Sequence, residues 1–307
     1  MSLAPITLFV YNRLWHIQQT IGALQKNVLA KQSEIFIFSD GPRSEEDKKK
    51  VRDVRNYIHT IDGFKKIKIR ERKKNHGLAE SIIAGVTEIV NKYGKIIVLE
   101  DDLFVSKGFL KFMNESLMLF ENNRRVGVVS GYVFPLNQYP KTPFFLIGGN
   151  CWGWGTWKRA WSLFEKDPST ILSYIGENNS SNEFDFNGYA GYIDSLKTMG
   201  KKTTKTWAIL WYGTLFINHL LGYHPNYSLV QNIGFDGTGL HSGVTTIYRT
   251  KTVPFVKVVN IPLHDNEFAR KELTVFFQKK LGARLPITQK IITKIRRNIK
   301  FYENSTS

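Results

Sequence analysis

Short apolar runs alternate with longer amphipathic segments in the first part of the chain. Apolar residues predominate in Ile6–Val10 and in residues 34–38, a pattern typical of strands buried on both faces. Between these two runs, apolar residues recur at helical spacing, at Leu14, Ile17, Ile21 and Leu24. The pattern predicts a strand, a helix and a second strand, in that order.

The alternation continues toward residue 100. Residues 44–59 are charged and helical in pattern, 66–70 alternate as a strand does, and 78–90 carry a second amphipathic stripe. Lys95 and a run of four apolar residues then occupy residues 95–99. Four alternations of strand and helix predict a parallel sheet with right-handed crossovers.

Three carboxylates follow directly where this last apolar run ends. Glu100, Asp101 and Asp102 thus lie at the carboxyl end of a buried strand, where open α/β sheets bind their ligands. Clustered carboxylates repel one another and are costly to desolvate unless a hard cation compensates them. The triplet therefore indicates a metal site, or alternatively a solvated acidic turn before a helix that begins near Lys107.

Composition and charge narrow the class of protein. With 307 residues and 42% hydrophobic content the chain can bury a sizeable core. A single cysteine, Cys151, together with the lack of a signal peptide or spanning segment, predicts a cytoplasmic location. The net charge of +17 indicates an anionic partner, but nucleic acid, anionic lipid and phosphorylated substrates all meet that requirement.

Sequence motifs argue against two classes of enzyme and identify a cluster of tryptophans. Neither a dinucleotide-binding nor a P-loop glycine motif follows the first strand, which argues against oxidoreductases and P-loop NTPases. Farther along, Trp152, Trp154, Trp157 and Trp161 are interleaved with glycines. Such tryptophans stack on sugar rings or line a pocket, although tryptophan also fills protein cores.

In this order the motifs resemble the GT-A fold glycosyltransferases, in particular a bacterial family-2-like branch. That branch is related to the animal enzyme that adds the first N-acetylglucosamine branch to N-glycans. The resemblance runs from Pro5 to His241. Its main elements are the acidic triplet and residues 11–13, 39–41, 75–79, 151–157, 207–212 and 225–241.

The resemblance implies an α/β fold of the GT-A, Rossmann-like type. Its nucleotide-sugar-binding sheet would carry helices on both faces and merge into an acceptor-binding C-terminal half. We expect residues 1–141 to form the nucleotide-sugar part and 142–264 the acceptor and catalytic part of one domain. Residues 265–307 would form a basic helical tail.

The resemblance also assigns donor contacts. Arg13 and Asp40 would hold the nucleotide base, because a carboxylate can accept the uracil imide proton and an arginine can pack on the base. His76 would lie near the sugar-nucleotide. The alternatives are that Asp40 only caps its turn and that Arg13 only begins a helix.

For the metal, Mn²⁺ or Mg²⁺, the resemblance implies Asp102 as the direct ligand. Glu100 and Asp101 would face the donor, and His241 would reach the metal or the diphosphate. A magnesium-like ion keeps several waters, so one protein carboxylate plus substrate phosphates is sufficient. Asp101 is also a catalytic candidate.

One departure from the family concerns the catalytic base. The animal relative has a carboxylate in the segment that matches 207–211, and this chain has Ala208 and Ile209 there. Asp236 is the favoured replacement, with Asp185 and Glu183 as alternatives, and lost activity is a further alternative. Trp152, Trp154 and Trp207 are the predicted acceptor contacts.

The sequence therefore predicts a metal-dependent, inverting glycosyltransferase that uses a nucleotide-sugar, with UDP favoured, and acts on a cell-surface glycan or lipid-linked acceptor. Nucleic acid is not expected as a partner. The competing predictions are a sugar-nucleotide nucleotidyltransferase and a non-catalytic basic module that binds glycan or nucleic acid. In the tail, Ile287, Ile291, Ile295 and Ile299 form a stripe among basic residues. It suits either peripheral attachment to the inner face of an anionic membrane or packing against the domain.

Overall fold

The computed structural model describes residues 2–199, 206–239 and 243–284. Within these ranges the strands are β1 (Ile6–Val10), β2 (Glu34–Ser39), β3 (Lys66–Glu71), β4 (Lys95–Glu100), β5 (Leu103–Val105), β6 (Val126–Ser130), β7 (Phe144–Ile147), β8 (Trp154–Trp157), β9 (Leu221–His224) and β10 (Val230–Asn232). The α-helices are α1 (Leu14–Gln25), α2 (Glu45–Ile58), α3 (Leu78–Tyr93), α4 (Phe109–Leu119), α5 (Lys158–Trp161), α6 (Pro168–Glu177), α7 (Ser181–Phe184), α8 (Tyr192–Met199), α9 (Trp207–Ile217) and α10 (Glu267–Arg284).

A single eight-stranded sheet organises the molecule, in the order β3-β2-β1-β4-β8-β6-β9-β7. The four strands β1 to β4 are parallel, as the alternating pattern predicts. β8 pairs antiparallel with both β4 and β6, so the complete sheet is mixed. A separate two-stranded sheet, β5 with β10, stands beyond the end of β4.

Helices cover both faces of the sheet, and the predicted fold class is confirmed. On one face α1, α2 and α4 contribute apolar side chains such as Ile17, Val54 and Leu110. On the other face α3, α5 and α9 contribute Ile82, Trp161 and other residues. A third cluster joins α6, α9 and α10. Among the described residues, none of the helices has both the length and the apolarity needed to cross a bilayer.

Local chemistry sets the start of α2 and the end of α3. Ser44 caps α2 by accepting a hydrogen bond from the backbone N–H of Asp47, and acidic residues occupy the first turn. α3 ends at Gly94, which has a φ of 79° that a glycine adopts without strain. These signals explain why the predicted limits of both helices lie within a few residues of the observed ones.

His224, at the end of β9, is a buried histidine that no part of the site uses. Its ring stacks on Phe144 with centroids 5.3 Å apart, and its Nε2 atom has no hydrogen-bond partner among the described residues. Burial lowers the pKa of His224 to about 4, although Asp265 acts in the opposite direction. The folded protein therefore holds this imidazole neutral.

We expect His224→Gln to reduce the loss of stability in mild acid. The pKa of His224 is lower in the folded state than in the unfolded state. Its contribution to the free energy of unfolding is therefore fully present above the unfolded pKa and is lost as the pH falls toward 4. At pH 5 the free energy of unfolding is lowered by about 2 kcal/mol through this histidine. Urea unfolding at pH 7 and pH 5 would measure it. His264→Gln, an exposed site, is the matched control, and an unchanged pH dependence in His224→Gln would contradict the assignment.

Candidate active site

The acidic triplet comprises the last residue of β4 and the two residues of the turn before β5, at the carboxyl edge of the sheet. Asp101 is buried, and Glu100 and Asp102 are partly exposed. Loss of hydration, reinforced by the two neighbouring aspartates, raises the pKa of Glu100 to about 8. Burial also raises the pKa of Asp101, while Arg13 opposes that shift. At neutral pH Glu100 is therefore largely protonated.

Arg13 bridges the two aspartates. Its Nη2 atom donates to Asp101 Oδ1 and, at 2.7 Å, to Asp102 Oδ2. The guanidinium side chain is 18% exposed, and the two carboxylates raise its pKa against the effect of burial. Arg13 caps the start of α1, and Thr20 on that helix donates to the backbone oxygen of Asp101 at 2.7 Å. The first helix is thus tied to the triplet twice.

The segment 230–239 covers the triplet from the C-terminal half. β10 pairs with β5, and the N–H of Ile233 donates to the backbone oxygen of Asp102 at 2.9 Å. A Cβ atom on Gly234 would lie only 2.1 Å from Asp102 Oδ2. Only a glycine therefore lets this segment approach the Asp102 carboxylate so closely.

Asp236 lies in the same segment and contacts a histidine that the sequence analysis missed. Its Oδ2 atom is 3.1 Å from Nε2 of His16, which is buried on α1. Its Oδ1 atom accepts from the N–H and the hydroxyl of Thr238, at 3.0 and 2.7 Å. Loss of hydration raises the pKa of Asp236, but these hydrogen bonds and His16 outweigh it and lower the pKa overall. The spacing of His16 three residues after Arg13, on one helix face, is the signal that could have identified it.

Asp40 organises the loop that precedes α3. Its carboxylate accepts from three backbone N–H groups, those of Gly41 at 3.0 Å, His76 at 3.1 Å and Gly77 at 2.9 Å. Asp40 also follows β2 directly and donates its own N–H to Val10 at the end of β1. The structure thus brings Asp40 and the backbone of His76 together, and the side chain of His76 is exposed.

We expect Asp40→Ala to destabilise the fold as well as weaken donor binding. Removing the carboxylate leaves buried backbone donors without partners, which costs about 1–3 kcal/mol. Chemical denaturation would show that loss, and donor titration would show a raised KM. Asp62→Ala, in the turn between α2 and β3 at the opposite edge of the sheet, is the control. A stable Asp40→Ala protein with a normal KM would contradict both roles.

The predicted acceptor tryptophans separate into two groups. Trp154 is fully buried and stacks on Trp207, with centroids 5.4 Å apart, in the core between β8, α5 and α9. This burial favours the alternative that tryptophan fills the core at these two positions, because β8 lies between two other strands and α9 covers it. Trp152 is partly exposed and packs edge-on against Tyr132 and Phe235. Only Trp152 adjoins the segment that carries Asp236.

Two further predictions concern Asp185 and His241. Asp185 accepts from the backbone N–H of Tyr192 at 2.7 Å and of Ile193 at 3.4 Å, at the start of α8. It therefore caps a helix, and burial raises its pKa. His241 lies outside the described residues, as does the isoleucine stripe of the tail from Ile287 onward.

The donor set at the triplet fits a hard divalent cation. Within residues 2–199, 206–239 and 243–284, no group of three metal-ligating side chains forms a complete site. Asp101 and Asp102 nevertheless direct carboxylate oxygens at one point, and the Arg13 guanidinium already supplies a positive charge there. Carboxylates are the ligands that Mg²⁺ and Mn²⁺ prefer, with the remaining positions filled by water and phosphate oxygens.

Residues 6–142 match the family model of glycosyl transferase family 2. The matched segment includes β1 to β6 and, with them, Arg13, Asp40 and the triplet. The match supports glycosyl transfer as the class of reaction. The narrower relationship to the animal N-acetylglucosaminyltransferase stays a prediction. No curated protein gives a significant match to the sequence.

The solved structures that this chain resembles in backbone structure are distant from it in sequence. The mannosyltransferase PcManGT from Pyrobaculum calidifontis, in complex with GDP-Man and Mn²⁺, is 14% identical with a TM-score of 0.31, over 43% of this chain and 36% of that one. S. aureus TarS is 12% identical with a TM-score of 0.40, over 74% and 36%. TarS 1-349 is 12% identical with a TM-score of 0.39, over 74% and 59%. The chain thus spans less than two thirds of the length of each of these structures.

Proposed function

We propose that the protein is a metal-dependent, inverting glycosyltransferase. It would transfer a sugar from a nucleotide-sugar, with UDP favoured, to a hydroxyl of a cell-surface glycan or lipid-linked oligosaccharide. One observation carries the proposal: within the segment that matches glycosyl transferase family 2, the carboxylates of Asp101 and Asp102, directly after β4, meet the Arg13 guanidinium at the carboxyl edge of the sheet. Ligands of open α/β sheets bind at this edge.

The donor would lie along the carboxyl ends of β1, β2 and β4. Asp40 and His76 border the part of this edge assigned to the nucleotide, and Arg13 with Glu100 and Asp101 borders the part assigned to the diphosphate and sugar. The order follows from the sheet, because β1 stands between β2 and β4. The resemblance assigns Arg13 to the nucleotide base together with Asp40. Because its guanidinium lies on Asp101 and Asp102, and a guanidinium binds phosphate oxygens in a bidentate manner, we place it instead at the diphosphate.

Asp102 would hold the divalent cation, because its carboxylate is the more accessible of the two aspartates that Arg13 bridges. His241 stays the predicted second ligand. A bound Mn²⁺ or Mg²⁺ would supply positive charge to the diphosphate leaving group. Asp101, buried beside Asp102 and paired with Arg13, would hold the site together.

The chemistry assigned to the protein's own residues is deprotonation of the acceptor. Asp236 would accept the proton of the acceptor hydroxyl while that oxygen bonds to the anomeric carbon and the bond from that carbon to the nucleotide diphosphate breaks. Displacement at the anomeric carbon in one step inverts its configuration. Asp236 is suited to this role because its side chain is 40% exposed and its segment contacts Asp102.

Trp152 is the acceptor contact that the packing supports. Its partners Tyr132, Phe235 and Tyr248 form an aromatic cluster beside Asp236, and aromatic faces bind the apolar faces of sugars. A lipid-linked acceptor would bring the protein to the inner face of the membrane. The basic tail assigned to that contact lies beyond the described residues.

Titration with UDP, in the presence and absence of Mn²⁺, tests this function. A glycosyltransferase of this kind binds UDP more tightly when Mn²⁺ is present, whereas a basic nucleic-acid-binding module has no such requirement. Incubation with UTP and a sugar 1-phosphate tests the nucleotidyltransferase alternative, which predicts release of pyrophosphate. Release of pyrophosphate, or UDP binding that ignores Mn²⁺, would contradict the proposal.

A further inference from the structure

Arg13 occupies the place at the triplet where a cation is needed. Its Nη2 atom contacts Asp101 Oδ1 and Asp102 Oδ2 together, and both carboxylates are poorly hydrated, with side-chain exposures of 7% and 15%. Paired carboxylates of this kind need a compensating charge. Arg13 supplies that charge from within the chain.

A divalent cation at Asp102 would meet this guanidinium at close range. The Oδ2 atom that the metal would use is the same atom that Arg13 holds at 2.7 Å. Gly234 closes the other side, because a Cβ atom there would lie 2.1 Å from Asp102 Oδ2 and 3.0 Å from Arg13 Nη1. Two cations in this space repel each other, and the low exposure of the site weakens the screening.

A nucleotide diphosphate would relieve the repulsion between the guanidinium and the divalent cation. Its oxygens can bind the metal and accept hydrogen bonds from a guanidinium at the same time. Arg13 occupies the N-cap position of α1, three residues after β1 ends, so its side chain starts from the edge where the donor would lie. A rotation of the side chain would then exchange carboxylate partners for phosphate partners.

We propose that Arg13 is an internal counter-ion that couples metal binding to nucleotide binding. Without nucleotide it holds Asp101 and Asp102 and opposes metal binding. With nucleotide it moves to the diphosphate and releases Asp102 for the metal. The inference rests on the proposed function and adds a thermodynamic coupling to it, and that coupling must be reciprocal.

Electron paramagnetic resonance of free Mn²⁺ measures the coupling directly. Mn²⁺ is titrated into the purified full chain alone, with UDP and with GDP. We expect the wild-type protein to bind Mn²⁺ at least about tenfold more tightly with the matching nucleotide, a factor within the usual range of coupling between sites. Arg13→Gln should bind Mn²⁺ alone about tenfold more tightly than the wild type does, and its response to nucleotide should shrink accordingly.

Two further variants show whether the change in Mn²⁺ affinity comes from the charge at Arg13 or from the net charge of the protein. Arg13→Lys keeps the charge and should keep most of the coupling. Arg52→Gln, on the exposed side of α2, removes the same net charge away from the site and should match the wild type. Thermal melting gives an independent measurement: Mn²⁺ alone should raise the melting temperature of Arg13→Gln clearly more than that of the wild type.

If Arg13→Gln binds Mn²⁺ alone no better than the wild type, or if Arg13→Lys behaves as Arg13→Gln does, the inference is overturned and the proposed function stands. Equal Mn²⁺ affinity of the wild type with and without nucleotide would contradict both, because the coupling is reciprocal and nucleotide binding would then be independent of Mn²⁺. If the wild type binds no Mn²⁺ even with UDP or GDP, the metal-dependent function itself fails, and the coupling fails with it.

Discussion

Replacing Asp102 by asparagine is expected to reduce sugar transfer at least about 10³-fold. Asparagine keeps the shape of the side chain but removes the negative charge that would hold the metal. The lost stabilisation of the leaving diphosphate is worth several kcal/mol in the transition state, and each 1.4 kcal/mol is a factor of ten in rate. The fold should survive, because Ile233 bonds to the backbone oxygen of Asp102 and Asp101 still pairs with Arg13.

Steady-state kinetics of donor turnover, with circular dichroism to check the fold, would measure this effect. Asp62→Asn is the matched control, because it removes one carboxylate at the opposite edge of the sheet. Turnover of Asp102→Asn within a few-fold of the wild-type rate would refute the metal assignment. A loss that Asp62→Asn reproduces would indicate a general effect of charge instead.

The second large effect is expected at Asp236. Asp236→Asn should lower kcat by about 10²–10⁴-fold, the usual size of general-base catalysis, and should leave UDP affinity unchanged. The asparagine can still accept from Thr238, so the turn at residues 236–238 should persist. The split between kcat and nucleotide affinity distinguishes a base from a residue that only shapes the donor site.

Asp185→Asn is the informative comparison for this prediction. Asp185 accepts two backbone hydrogen bonds at the start of α8, so we expect its replacement to lower stability more than kcat. An active Asp236→Asn enzyme together with an inactive but folded Asp185→Asn enzyme would transfer the role of the base to Asp185.

The first half of the fold could be predicted from the sequence, because each element carries its own periodic signal. β1 is observed as Ile6–Val10, as predicted, and β4 extends the predicted strand by one residue to Glu100. The position of β8 could not be predicted in this way. It enters antiparallel between β4 and β6, and strand order depends on contacts far apart in the sequence rather than on local pattern.

The same distinction applies to the site. The position of the triplet at a strand end follows from the sequence, whereas the partner of each carboxylate does not. Arg13 meets Asp101 across 88 positions of the chain, and no local feature of α1 indicates that contact. The tryptophans illustrate the same limit: the interleaved glycines favoured rings free to bind a ligand, whereas Trp154 is buried and stacks on Trp207 of α9, a partner 53 positions away that no local pattern indicates.

The most direct test of the central claim is a screen for donor turnover. Purified protein is incubated with UDP-sugars and GDP-sugars, with and without Mn²⁺, and release of the nucleoside diphosphate is measured for the wild type and for Asp102→Asn. The account predicts release from one donor class that requires Mn²⁺ and is lost in Asp102→Asn. Release that is indifferent to both Mn²⁺ and Asp102, or no release from any donor under conditions where the protein is folded, would contradict it.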